Sequence, residues 1–458
     1  TLDANTTGVE NVAIGDQALT TNTTASYNTS VGGESMKANT TGAQNSALGQ
    51  RALFANTTGS YNAAVGLSSL GHNTTGSNNA AVGYLALYEN TTGTENVAVG
   101  VEALQANTTG GSNTAIGLRA LEANTTAGNN TAVGVAAMMV NTTGVFNTAV
   151  GGNALDANTT GGYNVAVGRI SLSSNTTGGS NVAVGWNSLF ANTTAANNTA
   201  VGDNAMAANT TGQKNVAVGA LSLDKNTTGN DNTAVGYDAL TRCTTGVSNT
   251  CIGKDSGDNI TNGGYNTCLG IDSGTNITQG SAHVMVGDST TASAENSQNE
   301  IVIGVGIAGV GSNSFTFGKA SNRVSNDFDT NASWTRSSDI NKKTNIENTD
   351  LGLSFINELR PVTFNWKSNN EFPTHFKDYS ETENHMDTET NLYGMIAQDV
   401  EKALDKVGHK NFGGWSEQED GSQMLAQSMF IYPLINAVKE LSTTVDELKQ
   451  ELSALKGE

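Results

Sequence analysis

Proline is almost missing from this chain of 458 residues. The three prolines, Pro361, Pro373 and Pro433, all lie in the C-terminal part of the sequence. Proline has no backbone N–H to give to a β ladder, so its absence before residue 361 permits an uninterrupted ladder there. Glycine, by contrast, is abundant, with 53 residues. This balance favours β structure with many tight turns.

Charge and long apolar runs are also scarce. Charged residues make up 14% of the chain, and the formal net charge is −20. An acidic chain repels phosphate groups, so we expect no nucleic-acid partner. No apolar run reaches the ~18 residues of a membrane-spanning helix, so we expect no membrane insertion. The sequence begins at Thr1, without Met or a signal-peptide pattern, and we interpret it as part of a longer fibre.

Cysteine occurs only at Cys243, Cys251 and Cys268. Cys251 and Cys268 fall on the same position of a regular sequence repeat, a position that otherwise holds mostly alanine. We interpret these cysteines as small buried side chains. A disulfide or a metal site is the alternative, although the chain has no Cys-x-x-Cys and no histidine in register. No metal and no cofactor is expected.

What the sequence does contain is that strict repeat. An Asn-Thr-Thr triplet returns fourteen times with a constant period of 17 from Asn5 to Asn226, and an anchor glycine keeps the same period from Gly15 to Gly304. Such regularity is typical of a solenoid in which each repeat forms one rung. With one rung per strand spacing, eighteen anchor glycines predict a rod roughly 80 Å long.

Each rung has two apolar columns. The residue before the anchor glycine is Val, Ile or Leu from Ile14 to Ile303, and the residue four after it is Leu or Met from Leu19 to Leu240. We interpret both columns as buried. The first segment reads as a short strand and the second as a strand or a bend, with the glycine and the Asn-Thr-Thr-Gly segment at the corners.

Other columns predict ladders and assembly. The asparagines that start with Asn11, Asn28 and Asn45 can bond to one another along the stack. Two apolar columns per rung enclose little core, so we infer three chains around a threefold axis. The predicted fold is mainly β: a trimeric parallel β-roll or β-solenoid of 17-residue repeats, followed by a small α+β domain that ends in a trimeric coiled coil.

The segments Asn11-Val12-Ala13-Ile14-Gly15 and Asn215-Val216-Ala217-Val218-Gly219 resemble the head repeats of trimeric autotransporter adhesins. This resemblance covers about residues 1–304 and implies a left-handed parallel β-roll. The period of 17 is longer than the one common in that family. A spacing of 14 occurs once, from Gly304 to Gly318.

The Asn-Thr-Thr triplets also match the N-glycosylation sequon. We favour a structural corner over a glycan acceptor, because a corner explains the fixed phase of the column. An ice-binding threonine face is disfavoured, since neighbouring residues of a strand point to opposite sides.

Recognition is expected in the variable columns. Aromatic residues recur after the anchor glycine and just before the repeating asparagine, and exposed aromatics can bind sugars or proteins. The candidate receptor contacts are Tyr84, Trp186, Tyr27, Tyr61 and Tyr163. The alternative is that these are outward positions under weak constraint.

The composition changes after Gly318. A polar neck covers residues 305–336, and then come Ser338-Asp339-Ile340-Asn341-Lys342-Lys343-Thr344-Asn345-Ile346 and, later, Gly394-Met395-Ile396-Ala397-Gln398. These motifs resemble the C-terminal intramolecular chaperone of the endosialidase type, the peptidase S74 family, over 337–458. The resemblance implies a domain that trimerises, drives folding of the preceding fibre and cuts itself off.

By motif position, Ser338 is the candidate nucleophile and Lys343 its partner, with the scissile bond between Ser337 and Ser338. A serine hydroxyl needs a base, and a desolvated lysine can serve as one. The attack is intramolecular, so geometry supplies much of the rate. Asn341 stands where the family usually carries Arg. For an isolated pair, the alternative is an N-cap serine and a solvated lysine.

The last segment, about 431–456, has a heptad pattern. Its apolar residues alternate at spacings of 4 and 3: Leu434, Val438, Leu441, Val445, Leu448, Leu452 and Leu455. This pattern predicts a coiled coil, and the alternative is a single amphipathic helix docked on its own domain. Because identical rungs can pair out of register, a terminal trimer would set the alignment first.

These features predict a structural attachment protein: a homotrimeric tail fibre or spike of a virion, outside the cell. Its expected partners are a host cell-surface receptor or glycan and other tail or baseplate proteins. Its enzymatic activity would be a single self-cleavage by Ser338 and Lys343. The alternative is an adhesive fibre on a bacterial surface that keeps its tip. A polysaccharide-cleaving enzyme is disfavoured, because the repeats show no column of paired carboxylates.

Overall fold

The structure is a computed structural model, and it describes residues 1–320, 322–329, 335–336, 340, 343–382, 384 and 386–457. The chain divides into two compact units, Thr1–Ser337 and Ser338–Glu458. The first unit is a parallel β-solenoid of about 18 turns, and the second is a small unit with both helices and strands.

One short strand per rung builds the solenoid. Strands β1–β17 have three residues each and keep the period of 17, and each pairs in parallel register with the equivalent residues of the next rung. Their bounds are Val12–Ile14, Thr29–Val31, Ser46–Leu48, Ala63–Val65, Ala80–Val82, Val97–Val99, Thr114–Ile116, Thr131–Val133, Thr148–Val150, Val165–Val167, Val182–Val184, Thr199–Val201, Val216–Val218, Thr233–Val235, Thr250–Ile252, Thr267–Leu269 and Val284–Val286.

The sheet ends with longer strands. β18 (Glu300–Val305) and β19 (Ser314–Lys319) are parallel and follow the shorter spacing of 14. β20 (Asn322–Asp327) then pairs antiparallel with β19, and β21 (Thr335–Arg336) pairs antiparallel with β20. Two antiparallel strands therefore close the last parallel rung.

The position of the first apolar column was predicted wrongly. The Val, Ile and Leu side chains before the anchor glycines are not in the core; Ile14 is 59% exposed and Leu48 is 53% exposed. From β2 to β17 the middle residue of each strand, such as Ala98, is buried instead, whereas Ala13 in the first strand is half-buried. Side chains alternate along a strand, so a three-residue strand turns only its middle residue inward. We call the outward column from Ile14 to Ile303 the strand ridge.

The second apolar column is in the core, as predicted. Leu104 is completely buried, together with Ala103 before it, and both belong to one continuous cluster with the strand alanines. The segment that carries this column is a turn and not a second strand. Leu104 has a left-handed backbone with φ 56°. That conformation costs roughly 1–2 kcal/mol, which burial of a leucine side chain, worth about 1.5–3 kcal/mol, offsets.

Two asparagine ladders run through the solenoid, and both are buried. In the predicted ladder, the backbone N–H of Asn96 donates to Asn79 Oδ1 at 3.0 Å, and Asn96 Nδ2 donates to the Gly110 carbonyl at 2.9 Å. In the Asn-Thr-Thr column, Asn107 Nδ2 donates to Asn90 Oδ1 at 2.8 Å and to the same Gly110 carbonyl at 3.0 Å. These buried amides are already bonded, so the structural interpretation of the sequon holds for the folded chain.

The cysteines are free and buried, in agreement with the favoured interpretation. Cys251 and Cys268 are the middle residues of β15 and β16 and pair directly. Cys243 continues the column of the Asn-Thr-Thr asparagines, and burial raises the pKa of its thiol to about 11. The three side chains therefore act as core residues.

A histidine and a glutamate continue the asparagine ladder of Asn11, Asn28 and Asn45 at its C-terminal end. The buried His283 accepts the Glu300 N–H on Nδ1 at 3.2 Å and donates from Nε2 to the Ser297 carbonyl at 2.8 Å. Burial lowers the pKa of His283, which fits a neutral ring with its proton on Nε2. The Glu300 carboxylate accepts from Ser293 Oγ at 2.5 Å. The ladder thus ends in a fully bonded polar pair.

The second unit contains short elements and one long helix. Its elements are α1 (Leu353–Ile356), β22 (Val362–Phe364), β23 (Leu392–Gly394), α2 (Ala397–Lys406), β24 (Trp415–Glu417), β25 (Gln423–Leu425) and α3 (Ile431–Lys456), with 3₁₀ turns at Asn369–Glu371 and Gln427–Phe430. β22 pairs antiparallel with β23, and β24 with β25.

Two adjacent glycines test how closely the rungs approach each other. Gly151 has φ 138°, and a Cβ there would overlap the Gly168 carbonyl of the next rung, whereas a Cβ on Gly152 would meet nothing nearer than 4.0 Å. We expect Gly151→Ala to destabilise the solenoid by about 3 kcal/mol or more, and Gly152→Ala to change it by less than about 0.5 kcal/mol. Thermal unfolding followed by circular dichroism measures both, and equal effects would contradict the predicted close contact.

Candidate functional site

The predicted nucleophile and scissile bond lie outside the described residues, because Ser337, Ser338 and Asn341 are not among them. Lys343 is described and exposed, and its N–H donates to the Ile340 carbonyl at 3.1 Å. Whether Lys343 and Ser338 act together therefore stays a prediction.

The chain that follows Lys343 is held by polar residues of α3. Asn436 Nδ2 donates to the carbonyls of Thr349 and Leu351, both at 3.2 Å. Glu440 Oε2 accepts the Leu353 N–H at 2.7 Å, so its carboxylate bonds the start of α1. Asn436 and Glu440 also bond to each other, at 3.1 Å. These bonds connect the segment after the predicted site to the long helix.

Three phenylalanines form the centre of this unit. Phe355 is completely buried and packs edge-on against Phe412 at 5.7 Å between ring centroids. Phe430 packs edge-on against Phe412 at 5.1 Å. The other core residues come mainly from α2: Leu351, Val400, Ala403 and Leu404. This core joins α1, α2 and the turn directly before α3. Leu351, in the loop between Lys343 and α1, packs in the core and so holds one side of that loop.

Ion pairs join α2 to the segment after α1. Arg360 bonds Asp399 through two nitrogens, at 2.5 and 3.1 Å, and this hydrogen bonding lowers the pKa of Asp399. Lys406 bonds Glu358 at 2.7 Å. Asp399 lies in the Gly-Met-Ile-Ala-Gln-Asp stretch, which forms the end of β23 and the beginning of α2. The motif residues thus join a strand to a helix.

Two more carboxylates fix loops of the unit. His409 contacts Asp350 at 2.7 Å, and this bond lowers the pKa of Asp350. Hydrogen bonds from Ser422 and from the Lys377 N–H lower the pKa of Asp420 from 3.8 to about 2. A carboxyl with a lowered pKa stabilises the fold above its unfolded pKa, and this contribution is lost as the pH falls through the folded value. These loops are therefore held best above about pH 4.

The heptad residues of α3 are uncovered in the single chain. All seven residues of the predicted seam are exposed: Leu434, Val438, Leu441, Val445, Leu448, Leu452 and Leu455. Only Pro433 and Ala437 of this helix are buried. The seam is therefore not the face that docks α3 onto its own unit. That contact is made by the face with Pro433, Asn436 and Ala437.

Comparison with known proteins assigns the first part of the C-terminal unit. Residues 338–409 match the Peptidase_S74 family, described as chaperone of endosialidase. This stretch is a chaperone-of-endosialidase domain. It includes the predicted Ser338 and Lys343, Phe355 with the α2 residues of its core, and the Arg360–Asp399 pair, whereas Phe412, Phe430 and α3 follow it. No match was found among curated proteins or among solved structures.

The sequence analysis predicted Ser338 as nucleophile and the heptad seam of α3, but it missed Asn436 and Glu440. These polar residues are four apart on a helix that was interpreted only through its apolar seam. A polar pair at this spacing shares one helix face, and that signal was available.

The candidate receptor contacts are all exposed in the solenoid but do not form one site. Tyr84 and Trp186 share one column, six rungs apart, and the tyrosines before the repeating asparagine share another. Only Tyr163 has an aromatic neighbour: its ring stacks on Phe146 with centroids 5.1 Å apart. Receptor contact at these residues stays a prediction.

None of the helices in the described part of the chain is long and apolar enough to cross a membrane. Within the same ranges, no group of three or more His, Cys, Asp or Glu side chains is placed to hold a metal ion.

Glu440 provides a test of how α3 holds the chaperone domain. Removal of its carboxylate leaves the Leu353 N–H without this acceptor, so we expect Glu440→Ala to destabilise the domain by about 1–3 kcal/mol. Glu447, an exposed glutamate two turns further along α3, is the matched control, and Glu447→Ala should change stability by less than about 0.5 kcal/mol. Urea unfolding followed by tryptophan fluorescence measures both. Equal effects would refute the anchoring role of Glu440.

Proposed function

We propose that this chain is a tail-fibre-like structural protein whose C-terminal domain is an intramolecular chaperone for the solenoid before it. The observation that carries the proposal is the chaperone-of-endosialidase match directly after a solenoid of near-identical rungs. Twelve consecutive strands, from the one with Ala47 to the one with Ala234, have alanine as their buried middle residue. A shift by one rung would leave this core unchanged, so pairing between or within chains lacks a built-in register.

We further propose that the protein is a homotrimer. Two apolar surfaces of the single chain support assembly: the strand ridge, with 18 aliphatic residues in one unbroken column, and the heptad seam of α3. Monomeric proteins rarely expose continuous apolar surface of this length. Three chains would cover the ridge at a common axis and the seam in a coiled coil. A terminal trimer formed first would align the chains before the solenoid folds.

Self-cleavage is the finer part of the proposal. The Ser338 Oγ would attack the carbonyl carbon of Ser337 while its proton passes to Lys343. The Ser337–Ser338 C–N bond would then break as Lys343 returns that proton to the Ser338 amine, which leaves an ester between the Ser337 carbonyl and the Ser338 Oγ. Hydrolysis of this ester by water would separate the two pieces after Ser337. A lysine becomes a base when it is desolvated. Lys343 is exposed in the single chain, so desolvation would come from a neighbouring chain, and cleavage would follow assembly.

The biological setting follows from this mechanism. A fibre that is aligned and then released from its helper would be kinetically trapped in the folded form. Such a fibre suits attachment of a virion to a host cell-surface receptor or glycan, outside the cell, with other tail or baseplate proteins as partners. The second candidate, an adhesive fibre of a bacterial surface that keeps its tip, is favoured if no cleavage occurs.

The trimer is tested by placing charge on the strand ridge of the uncleavable Ser338→Ala chain. Lysines on three rungs of the ridge would be buried unpaired at the axis, at a cost of several kcal/mol each, and should keep the three solenoids from associating stably even where α3 still joins the chains. The ridge variant should therefore be smaller than a trimer or melt well below the parent. The variant carries Val99→Lys, Ile116→Lys and Val133→Lys, and the matched control carries Gln105→Lys, Glu122→Lys and Met139→Lys on the same rungs. Light scattering after gel filtration should give three times the 47.1 kDa chain mass for the parent and the control.

A parent of single-chain mass would overturn the trimer. A ridge variant that is trimeric and melts like the parent would leave the trimer standing but remove the ridge as its interface.

Cleavage is tested by mass spectrometry of the purified chain. We expect fragments that end at Ser337 and begin at Ser338, an intact Ser338→Ala chain, and cleavage slowed by roughly 100-fold or more in Lys343→Ala. Lys342→Ala is the control and should cleave at the parental rate. An intact parent chain would contradict self-proteolysis and favour the second candidate.

A further inference from the structure

The solenoid has a second outward surface, which we call the turn face. It consists of the side chains at the second, fifth and sixth positions after each anchor glycine. These positions flank the two buried residues of each turn, such as Ala103 and Leu104. The inward side chains of the turn and of the strand belong to one core, so their outward side chains lie on opposite sides of the rung. The turn face therefore stays free when the strand ridge is covered in the proposed trimer.

A groove of about 490 Å³ opens on this face around Phe190, and we call it the Phe190 groove. Its floor is made of small residues, Ala191, Ala207 and Ala208. Phe190 is 37% exposed and stands at one end. Asp224 stands in the same column two rungs further on, about 10 Å away at the strand spacing. The gap between them is the width of one sugar ring.

The polar groups of the groove are fixed in place. Asp224 is only 6% exposed, and its carboxylate accepts from Thr241 Oγ1 and from Lys225 Nζ, both at 2.7 Å. Along one side, Asn187 Nδ2 donates to Asn204 Oδ1 at 2.7 Å. A carboxylate has about four acceptor positions, so Asp224 retains capacity for two further donors from a ligand.

The same local sequence occurs once more, and there the gap is closed. Leu-Phe-Ala-Asn-Thr-Thr begins at Leu53 as well as at Leu189. On the rung after Phe54, the residue in the same column is Gly71. A Cβ on that glycine would lie 2.7 Å from the Tyr88 ring, so Tyr88 covers the gap above Gly71. The Arg51 guanidinium covers Phe54 at 4.8 Å from the ring centroid. Only a cleft of about 70 Å³ remains.

We propose that the Phe190 groove binds one pyranose unit of a cell-surface saccharide. The apolar C–H face of the sugar would lie on the exposed Phe190 ring, since an aromatic face is electron-rich and flat. Its hydroxyl groups would donate to Asp224 and exchange hydrogen bonds with the Asn187–Asn204 amides. The floor of alanines admits the ring without displacing a side chain. This inference rests on the proposed attachment function and gives it a ligand class and a site.

The test uses the full chain on an array of neutral, N-acetylated and acidic oligosaccharides, followed by calorimetric titration with the best-bound oligosaccharide. We expect one site per chain and roughly tenfold or greater weakening in Phe190→Ala and in Asp224→Asn. Ala207→Phe, which fills the gap and removes no polar group, should abolish binding. Circular dichroism melting shows whether each variant keeps its fold.

Phe54→Ala is the matched control, because it makes the same change in the identical hexapeptide, where Tyr88 already closes the gap. This variant should bind the oligosaccharide like the parent. Tyr163→Ala separates the groove from the predicted receptor contacts on the other columns. A parent chain that binds nothing on the array, or binding unaffected by both Phe190→Ala and Ala207→Phe, would overturn the groove.

Attachment itself is measured separately, by binding of the labelled chain to a panel of bacterial cells. Cell binding that survives Ala207→Phe would keep the proposed attachment and reject the groove as its site. Saccharide binding that depends on Phe190, without binding to any cell, would support the groove and count against attachment.

Discussion

In-register parallel stacking of the rungs is the constraint on which the rest of the molecule depends. Every strand residue lies over its equivalent on the next rung, so each buried column keeps a narrow range of residue types and most backbone bonds run along the stack. The anchor glycines permit this stacking because a side chain there would collide with the next rung. The Asn107 and Asn96 amides both bond the Gly110 carbonyl, so the two ladders stabilise the same corner. A buried polar group is costly unless bonded, and these ladders bond almost every one.

Uniformity also creates the folding problem that the C-terminal domain would solve. Strands with the same buried alanine can pair one rung out of register with little penalty, whereas the Phe355 core and the α3 contacts of the chaperone domain are unique in the chain. A unique domain can define an alignment that a uniform ladder cannot. Uniformity equally limits where recognition can occur. The strand ridge repeats the same aliphatic side chains, while the turn face varies from rung to rung and provides the Phe190 groove.

The errors of the sequence interpretation have physical causes. The strand ridge was placed in the core because an unbroken aliphatic column resembles a buried one. A single sequence does not show that its strands have three residues, and with three residues alternation turns only the middle one inward. The leucine column was predicted as a strand or a bend, and the strand is wrong: the segment is a turn with left-handed residues such as Leu104. Intrinsic propensity gives no signal for this conformation in leucine. The sequence analysis did not identify His283 and Glu300, which end the ladder of Asn11, Asn28 and Asn45 in the structure.

The sequence by itself determined the solenoid, its period, one of the two asparagine ladders and the motifs of the chaperone-of-endosialidase domain, because strict spacing forces equivalent residues to meet. The tertiary structure alone decided which face of each rung is buried and that Glu440 holds the start of α1. It also decided that Phe190 stands beside an open gap while Phe54 stands beside a closed one. The two phenylalanines lie in identical hexapeptides. They differ in the side chains that lie beside them on the next two rungs, and only folding brings those side chains into contact with them.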